Sequence, residues 1–280
     1  KNPATLIFYR DQQPFIIASA YKFLLTPEKA VSEAADVTIY LDGDSIFNSG
    51  VALSYVSGDK KLSLINGSKR NYYSPYTNTY HNLDMYCENI TWDIPGDKLD
   101  ISMLRQQGTQ SYSSFESSDY YSLQKYLDIQ GIDQISPLQK VYRYMKNRQS
   151  NEFYIDEFAQ FIKMDLIQAK LMIHNLAKAG LLTFNEGEGR VYVKEKLPIY
   201  SRAYAKSPKV DYDALILNSE TANTENAVLD LKTNDLAMRG VKKFVVSDTH
   251  QVAIYPKGGN LVVKKNRNII FDGLINAGRF

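Results

Sequence analysis

Residues 136–197 read SPLQKVYRYMKNRQSNEFYIDEFAQFIKMDLIQAKLMIHNLAKAGLLTFNEGEGRVYVKEKL, and the spacing inside them decides the fold. Ser136 followed by Pro137 is a helix start, because Pro supplies the right φ at the first turn and has no N–H to leave unpaired. Leu138, Val141, Tyr142 and Met145 then recur three and four residues apart, one apolar face. Asn147 to Ser150 end that helix, and Phe153 and Ile155 make a short extended piece. Asp156 is placed to cap a second helix holding Phe158, Phe161 and Ile162. Asp165 caps a third, with Gln168 three residues on in capping-box spacing. The third helix runs to Ala179, where Gly180 can take the left-handed conformation that stops it. Leu181–Phe184 and Val191–Val193 alternate as two strands around Asn185–Gly189.

Helix, helix, helix and hairpin in this order, with Leu176-x-x-x-Gly180-Leu181 leading at once into strand-turn-strand, resemble a winged-helix domain. The resemblance implies a third helix that reads the major groove and a wing that touches backbone. Residue types test that implication. Ala169, Ile173 and Leu176 set the inward face of the third helix, so Ile167, Lys170, Leu171, His174 and Lys178 lie opposite. Two of those five are aliphatic and none is Arg, although base edges call for Arg, Asn, Gln or Lys. From Pro137 to Leu197 the chain carries ten Lys+Arg against seven Asp+Glu. The wing tip has Glu186 and Glu188, which repel phosphate, and Arg190 to offset them. The expectation is that Ile167 and Leu171 are buried contacts on a neighbouring domain or partner. The alternative is nucleic-acid contact through Lys170, His174, Lys178 and Arg190.

Outward from this unit the rhythm changes to strands and turns. Val37, Ile39 and Leu41 alternate with polar residues, Asp42-Gly43 turns the chain, and Val51, Leu53 and Tyr55 follow; Leu62 and Leu64 come after Ser57–Asp59. Thr26–Ala30 is a candidate short helix start or an extended loop. Gln106–Ser118, rich in Ser and Gln, is expected to be a loop, and Tyr120–Leu127 helical. Beyond Ala227, apolar pairs recur every seven to nine residues: Leu229 and Leu231, Leu236 and Met238, Phe244 and Val246, Val252 and Ile254, Leu261 and Val263, Ile269 and Phe271. Stacked short strands fit that spacing, as in a β-solenoid or jellyroll. Eight Lys+Arg against three Asp+Glu from Asn234 to Phe280 read as a solvated edge that discourages sheet-to-sheet pairing.

Composition narrows the chemistry. The 280 residues carry a net charge of +2, too little for a polyanion binder as a whole. No stretch approaches the apolar length of a membrane span. The single cysteine, Cys87, rules out an intrachain disulfide and reads as a small buried hydrophobe. No phosphate loop or nucleophile elbow is present, and His81, His174 and His250 are scattered, so the expectation is a protein with no catalytic, cofactor or metal site. His81, Asp84 and Glu88 have spacing suited to a helix face and lie in a β-like run, which argues against a metal there. Tyrosine is frequent, at 21 residues. Tyr72, Tyr73 and Tyr76 with Trp92 are a second alternative site, an aromatic platform for glycans. Lys1 in place of Met, and an end at Phe280, suggest a piece of something longer.

Asp42–Gly50, Tyr80–Met85 and Gly240–Lys243 through Val262–Arg267 resemble segments of a family of very long, uncharacterised bacterial envelope proteins, in which β-rich arrays surround a winged-helix-like insert. That resemblance implies a periplasmic or cell-surface setting, and weighs against DNA. The sequence therefore predicts an α+β fold, mostly β, with three parts: a β-rich domain over 1–135, a winged-helix-like domain over 136–198, and a β-rich array over 199–280 that could continue the first. The expected role is a non-enzymatic structural or protein-interaction module. Its partners would be other segments of the parent chain or envelope proteins.

Overall fold

The computed structural model describes residues 2–66, 74–104, 110–118, 123–130, 136–206, 215–222, 224–247 and 252–277. The chain begins with β1 (Ala4–Arg10), β2 (Gln13–Ala20), β3 (Leu24–Leu25) and two long strands, β4 (Lys29–Leu41) and β5 (Asp44–Val56). Alternation carries β4: Val37, Ile39 and Leu41 point into the core while Asp36, Thr38 and Tyr40 do not. Asp42 and Gly43 both adopt positive φ between β4 and β5, the backbone that a two-residue hairpin loop requires. β6 (Lys61–Ile65), β7 (Tyr76–Asn78), β8 (Leu83–Tyr86), β9 (Asn89–Asp93), β10 (Lys98–Ser102) and β11 (Ser111–Ser117) complete the first half.

A helical unit follows. It contains α1 (Leu123–Gln130), α2 (Pro137–Arg148), β12 (Glu152–Tyr154), α3 (Ile155–Phe161), α4 (Leu166–Lys178), β13 (Leu182–Asn185), β14 (Arg190–Val193) and α5 (Lys196–Lys206). The chain then returns to strands: β15 (Ile216–Thr221), β16 (Ala227–Asp230), β17 (Leu236–Met238), β18 (Phe244–Ser247), β19 (Val252–Val263) and β20 (Ile269–Asn276).

The strands before and after the helical unit belong to one antiparallel sheet. β5 serves two neighbours: Ile46 and Phe47 pair with β7, and Ala52–Val56 pair with β6. From β7 the pairing runs through β8 and β11 to β15. From β6 it runs through β9, β10, β16 and β17 to β19. Leu99 thus lies opposite Leu229, and Phe115 opposite Leu217, across more than a hundred residues of chain. The two paths enclose a single core that includes Ile16, Ile39, Leu53, Trp92, Phe115 and Leu229. Phe15 and Trp92 meet edge to face at 4.8 Å between ring centroids.

Three expectations change. Every pairing of the large sheet is antiparallel, so the seven-to-nine-residue rhythm after Ala227 reflects hairpins rather than the parallel coils of a solenoid. Within Gln106–Ser118, Ser111–Ser117 form the interior strand β11, which pairs on both sides; residues 105–109 lie outside the described set. Its Ser113, Phe115 and Ser117 alternate inward, a period-two pattern hidden by small polar residues. Thr26–Ala30 is extended: Thr26 Oγ1 accepts the Lys29 N–H at 3.2 Å and β4 starts there.

Helix boundaries in the unit follow the sequence to within a residue or two, with Ile155 opening α3 rather than ending an extended piece and Ile162 and Ala179 serving as C-caps, and the N-caps follow only in part. Pro137 opens α2, but the Ser136 hydroxyl makes no capping bond. Tyr154, not Asp156, is the residue before α3, and Asp156 lies in the first turn, where a carboxylate still meets the positive helix end. Asp165 caps α4, accepting the Ile167 N–H at 2.8 Å. The small sheet is ordered β12-β14-β13. The unit's own core takes in Tyr126 of α1 and Leu197 and Tyr200 of α5, so it packs beyond both ends of 136–198.

Candidate functional site

Two places in the molecule concentrate chemistry: the junction between the helical unit and the β body, and the outward face of α3 and α4. The junction is ionic. Asp84 of β8, buried, receives Lys196 Nζ at 3.0 Å on Oδ2 and lies 3.6 Å from Lys194 Nζ through Oδ1. Lys194 also donates to the Pro75 carbonyl at 3.0 Å. The side chains of Lys194 and Lys196 are 10% and 4% exposed and that of Asp84 1%, so three charges share a site nearly closed to water. Burial pushes the Lys194 ammonium below its usual range, with Asp84 pulling the other way.

Gly180 makes that approach possible. Its φ of +77° stops α4, and a Cβ there would stand 3.0 Å from Tyr86 Oη and 3.3 Å from Asp84 Oδ2. The glycine therefore ends a helix and admits the β body at once.

A second ionic cluster holds the β13–β14 hairpin. Arg190 pairs with Asp36 of β4, with Glu152 at 3.0 Å and with Glu188 at 3.0 Å. Asn185 Nδ2 donates to Asp36 at 3.2 Å, and Ser49 Oγ donates to the same carboxylate. Burial raises the Glu188 carboxyl above its ordinary range, against the pull of Arg190. The hairpin tip lies against the body: Glu188 accepts the Tyr21 N–H at 3.3 Å, and a Cβ on Gly187 would be 2.8 Å from the Ala34 methyl. Tyr192 meets Phe47 with ring centroids 5.8 Å apart.

This geometry corrects the sequence on where the unit docks. Ile167 is 78% exposed and Leu171 52%, so neither is buried in the junction. The stripe Ala169, Ile173 and Leu176 turns inward to the unit's own core, and the hairpin plus the turn after α4 face the β body. Leu166 of α4 and Phe161 of α3 are exposed as well, the Phe161 ring lying 4.8 Å from that of Tyr144 of α2. A cleft of about 300 Å³ borders Leu171, lined also by Ile129 of α1, Pro137 of α2, Met164, Met172 and Leu176.

The nucleic-acid set is not presented together. Arg190 is engaged by three carboxylates. His174 is half-buried, its ring 5.0 Å from that of Phe184 and Nε2 3.7 Å from Glu186. Lys170 is half-buried and Lys178 exposed.

The aromatic platform also dissolves where it is described. Tyr76 and Trp92 are core residues, and Trp92 Nε1 donates to the Gly96 carbonyl at 2.8 Å. Tyr72 and Tyr73 lie outside the described residues, as does His250. Among the described residues no group of three or more His, Cys, Asp or Glu is placed to hold a metal ion. His81 is buried between the Asn78 side chain at 3.1 Å and the Asn234 carbonyl at 2.9 Å. Cys87 is buried, and burial pushes its thiol well above the usual range.

Sequence reasoning missed the junction itself. The available signal was Asp84, an acid inside the apolar run Leu83-Asp-Met-Tyr86, with two lysines two residues apart just after β14, Lys194 and Lys196. A buried carboxylate demands a cation.

Among the described residues no helix is long and apolar enough to cross a membrane. No family model matches the chain, and no curated protein or solved structure matches it either.

Proposed function

We propose that the chain is a non-enzymatic protein-interaction module, in which a β body carries a winged-helix-like unit and presents its outward helix face to a protein partner. One observation carries this reading: the hairpin and Arg190 are consumed by the β body, while Phe161, Leu166, Ile167 and Leu171 stand in solvent. Exposed large apolar side chains on two helices in contact, one of them bordering a cleft, are what a protein interface anchors on. The likeness to a winged helix is supported by the order α2, β12, α3, α4, β13, β14 and by β14 lying between β12 and β13. Lys163 in the turn between α3 and α4 and Lys178 at the end of α4, both exposed, favour a partner with acidic residues flanking its apolar anchor. The partner is another segment of a parent chain or an envelope protein, in a periplasmic or surface setting.

A photo-reactive residue placed at position 167 tests this in the native host. A discrete protein adduct that disappears when Leu171 is changed to Lys supports the reading. Crosslinking no better than from an exposed control at Tyr112, or tight binding to duplex DNA that weakens steeply with salt, overturns it.

A further inference from the structure

We propose that the open edge of β20 is a self-association site, onto which a second copy of this chain adds its own β20 antiparallel. Among the described residues β20 pairs with β19 through Ile269–Phe271 and through Gly273–Asn276, with a register shift in β19 between Pro256 and Leu261, and has no strand on its other side. An open edge offers a row of backbone donors and acceptors, and natural sheets blunt such edges with Lys, Pro, short strands or a covering loop. β20 is eight residues long, Ile269-Ile-Phe-Asp-Gly-Leu-Ile-Asn276, with no Lys, Arg or Pro. Ile270 is 55% exposed, Leu274 74% and Ile275 63%. Its one charge, Asp272, lies 3.6 Å from Lys257, which leaves the edge close to neutral. The edge of β3 is only two residues long by contrast, and β1 ends on Arg10, which is tied to Asp97.

The pattern of β20 favours a copy of itself. Apolar residues stand on both sides of Asp272-Gly273. Two-fold pairing about Gly273 sets Phe271 opposite Ile275 of the second copy, and does so twice. It sets each Asp272 opposite Leu274, whereas pairing about Asp272 would bring two carboxylates face to face. Directly opposed side chains in such a pair lie about 5 Å apart, close enough for the apolar pairs to stabilise and for like charges to repel. Tyr255 of β19 and Val246 of β18, both exposed, continue the apolar surface behind the edge. Such a contact is isologous and closes at two copies. Eight residues a side is well below the roughly 20–30 of a standard interface, so the dimer is weak, in the range of tens of micromolar.

Sedimentation velocity on the 280-residue chain, from about 5 to about 200 µM, spans that affinity. Expected is a concentration-dependent shift from one copy to two. Ile270→Lys with Ile275→Lys should weaken dimerisation at least tenfold, because Ile275 lies opposite Phe271 of the second copy, with an unchanged melting temperature because both side chains are already exposed. Hydrogen exchange of the unmodified chain gives a second readout: β20 amides should gain protection as concentration rises. A chain that stays single across the range, a double variant that dimerises as before, open-ended polymers, or β20 amides indifferent to concentration would each overturn the proposal.

Discussion

Replacing Asp84 with Asn removes a carboxylate and keeps its shape. In the native protein that carboxylate stands 3.0 Å from Lys196 and 3.6 Å from Lys194, both of which are shielded from water. The variant leaves two buried ammonium groups facing a neutral amide. Breaking a buried ion pair from one side costs about 3–5 kcal/mol, because the desolvated charge stays behind. The Pro75 carbonyl still accepts from Lys194, which places the expected loss nearer the lower end, about 3 kcal/mol. That is a large share of the roughly 5–15 kcal/mol that stabilises a typical domain. Urea unfolding followed by tryptophan fluorescence measures it, since Trp92 sits in the β core. A second signature separates charge from packing. Without Asp84, the folded-state pKa of Lys194 falls further below its unfolded value, so the folded state binds fewer protons between the two. Stability of the variant should therefore rise with pH across that interval, more steeply than in the native chain. Adding Lys196→Met should recover part of the loss. A loss under about 1 kcal/mol, or no rescue by Lys196→Met, would refute the assignment of this triad as a structural joint.

Three further outcomes follow from named contacts. Gly180→Ala combines a left-handed backbone with a Cβ 3.0 Å from Tyr86 Oη, and should cost more than about 1 kcal/mol in chemical denaturation. Ile167→Lys with Leu171→Lys, on exposed positions, should move stability by no more than about 0.5 kcal/mol; a drop in melting temperature of many degrees would mean the face is covered. Burial holds the His81 imidazole down to about 4. The unfolded chain therefore binds a proton that the folded chain refuses between about 6.5 and 4. The contribution is complete above pH 6.5 and is lost on acidification, up to about 3 kcal/mol; His81→Gln should flatten that slope, and an unchanged slope would contradict the buried neutral ring.

Local periodicity explains what the sequence could disclose. The helices of the central unit write their faces in three- and four-residue spacing, so Leu138, Val141, Ala169, Ile173 and Leu176 were identifiable as core before any contact was known. Asp42-Gly43 likewise announced the β4–β5 hairpin. Strand partners are another matter. Nothing in Lys98–Ser102 points to Ala227–Asp230, because sheet pairing between distant segments depends on what else fills the core. β11 was hidden for a related reason: Ser111, Ser113 and Ser117 bury small polar side chains where a strand usually shows aliphatics. Tyr76 and Trp92 show the converse. Aromatic residues in a tyrosine-rich stretch look like a surface platform, yet tertiary packing puts both in the core.

The hairpin illustrates how far residue type can mislead about use. By residue type alone Glu186 and Glu188 repel phosphate, Arg190 offsets them only in part, and the hairpin argues against DNA. Their geometry answers a different question. Arg190 forms a hub for Asp36, Glu152 and Glu188, and Asp36 also gathers Asn185 and Ser49, so the charges of the hairpin are matched to charges of β4 rather than to solvent or ligand. Once the hairpin is spent in this way, the unit cannot use both of the surfaces by which a winged helix would straddle a duplex. What remains free is α3 and α4, and their free side is apolar at Phe161, Leu166, Ile167 and Leu171. Exposed apolar side chains on contacting helices are the kind of surface that protein interfaces use. The polar hairpin turned inward and the apolar helices turned outward are thus two sides of one arrangement, and in the proposed reading fixing the first against the β body would hold the second out for a protein partner.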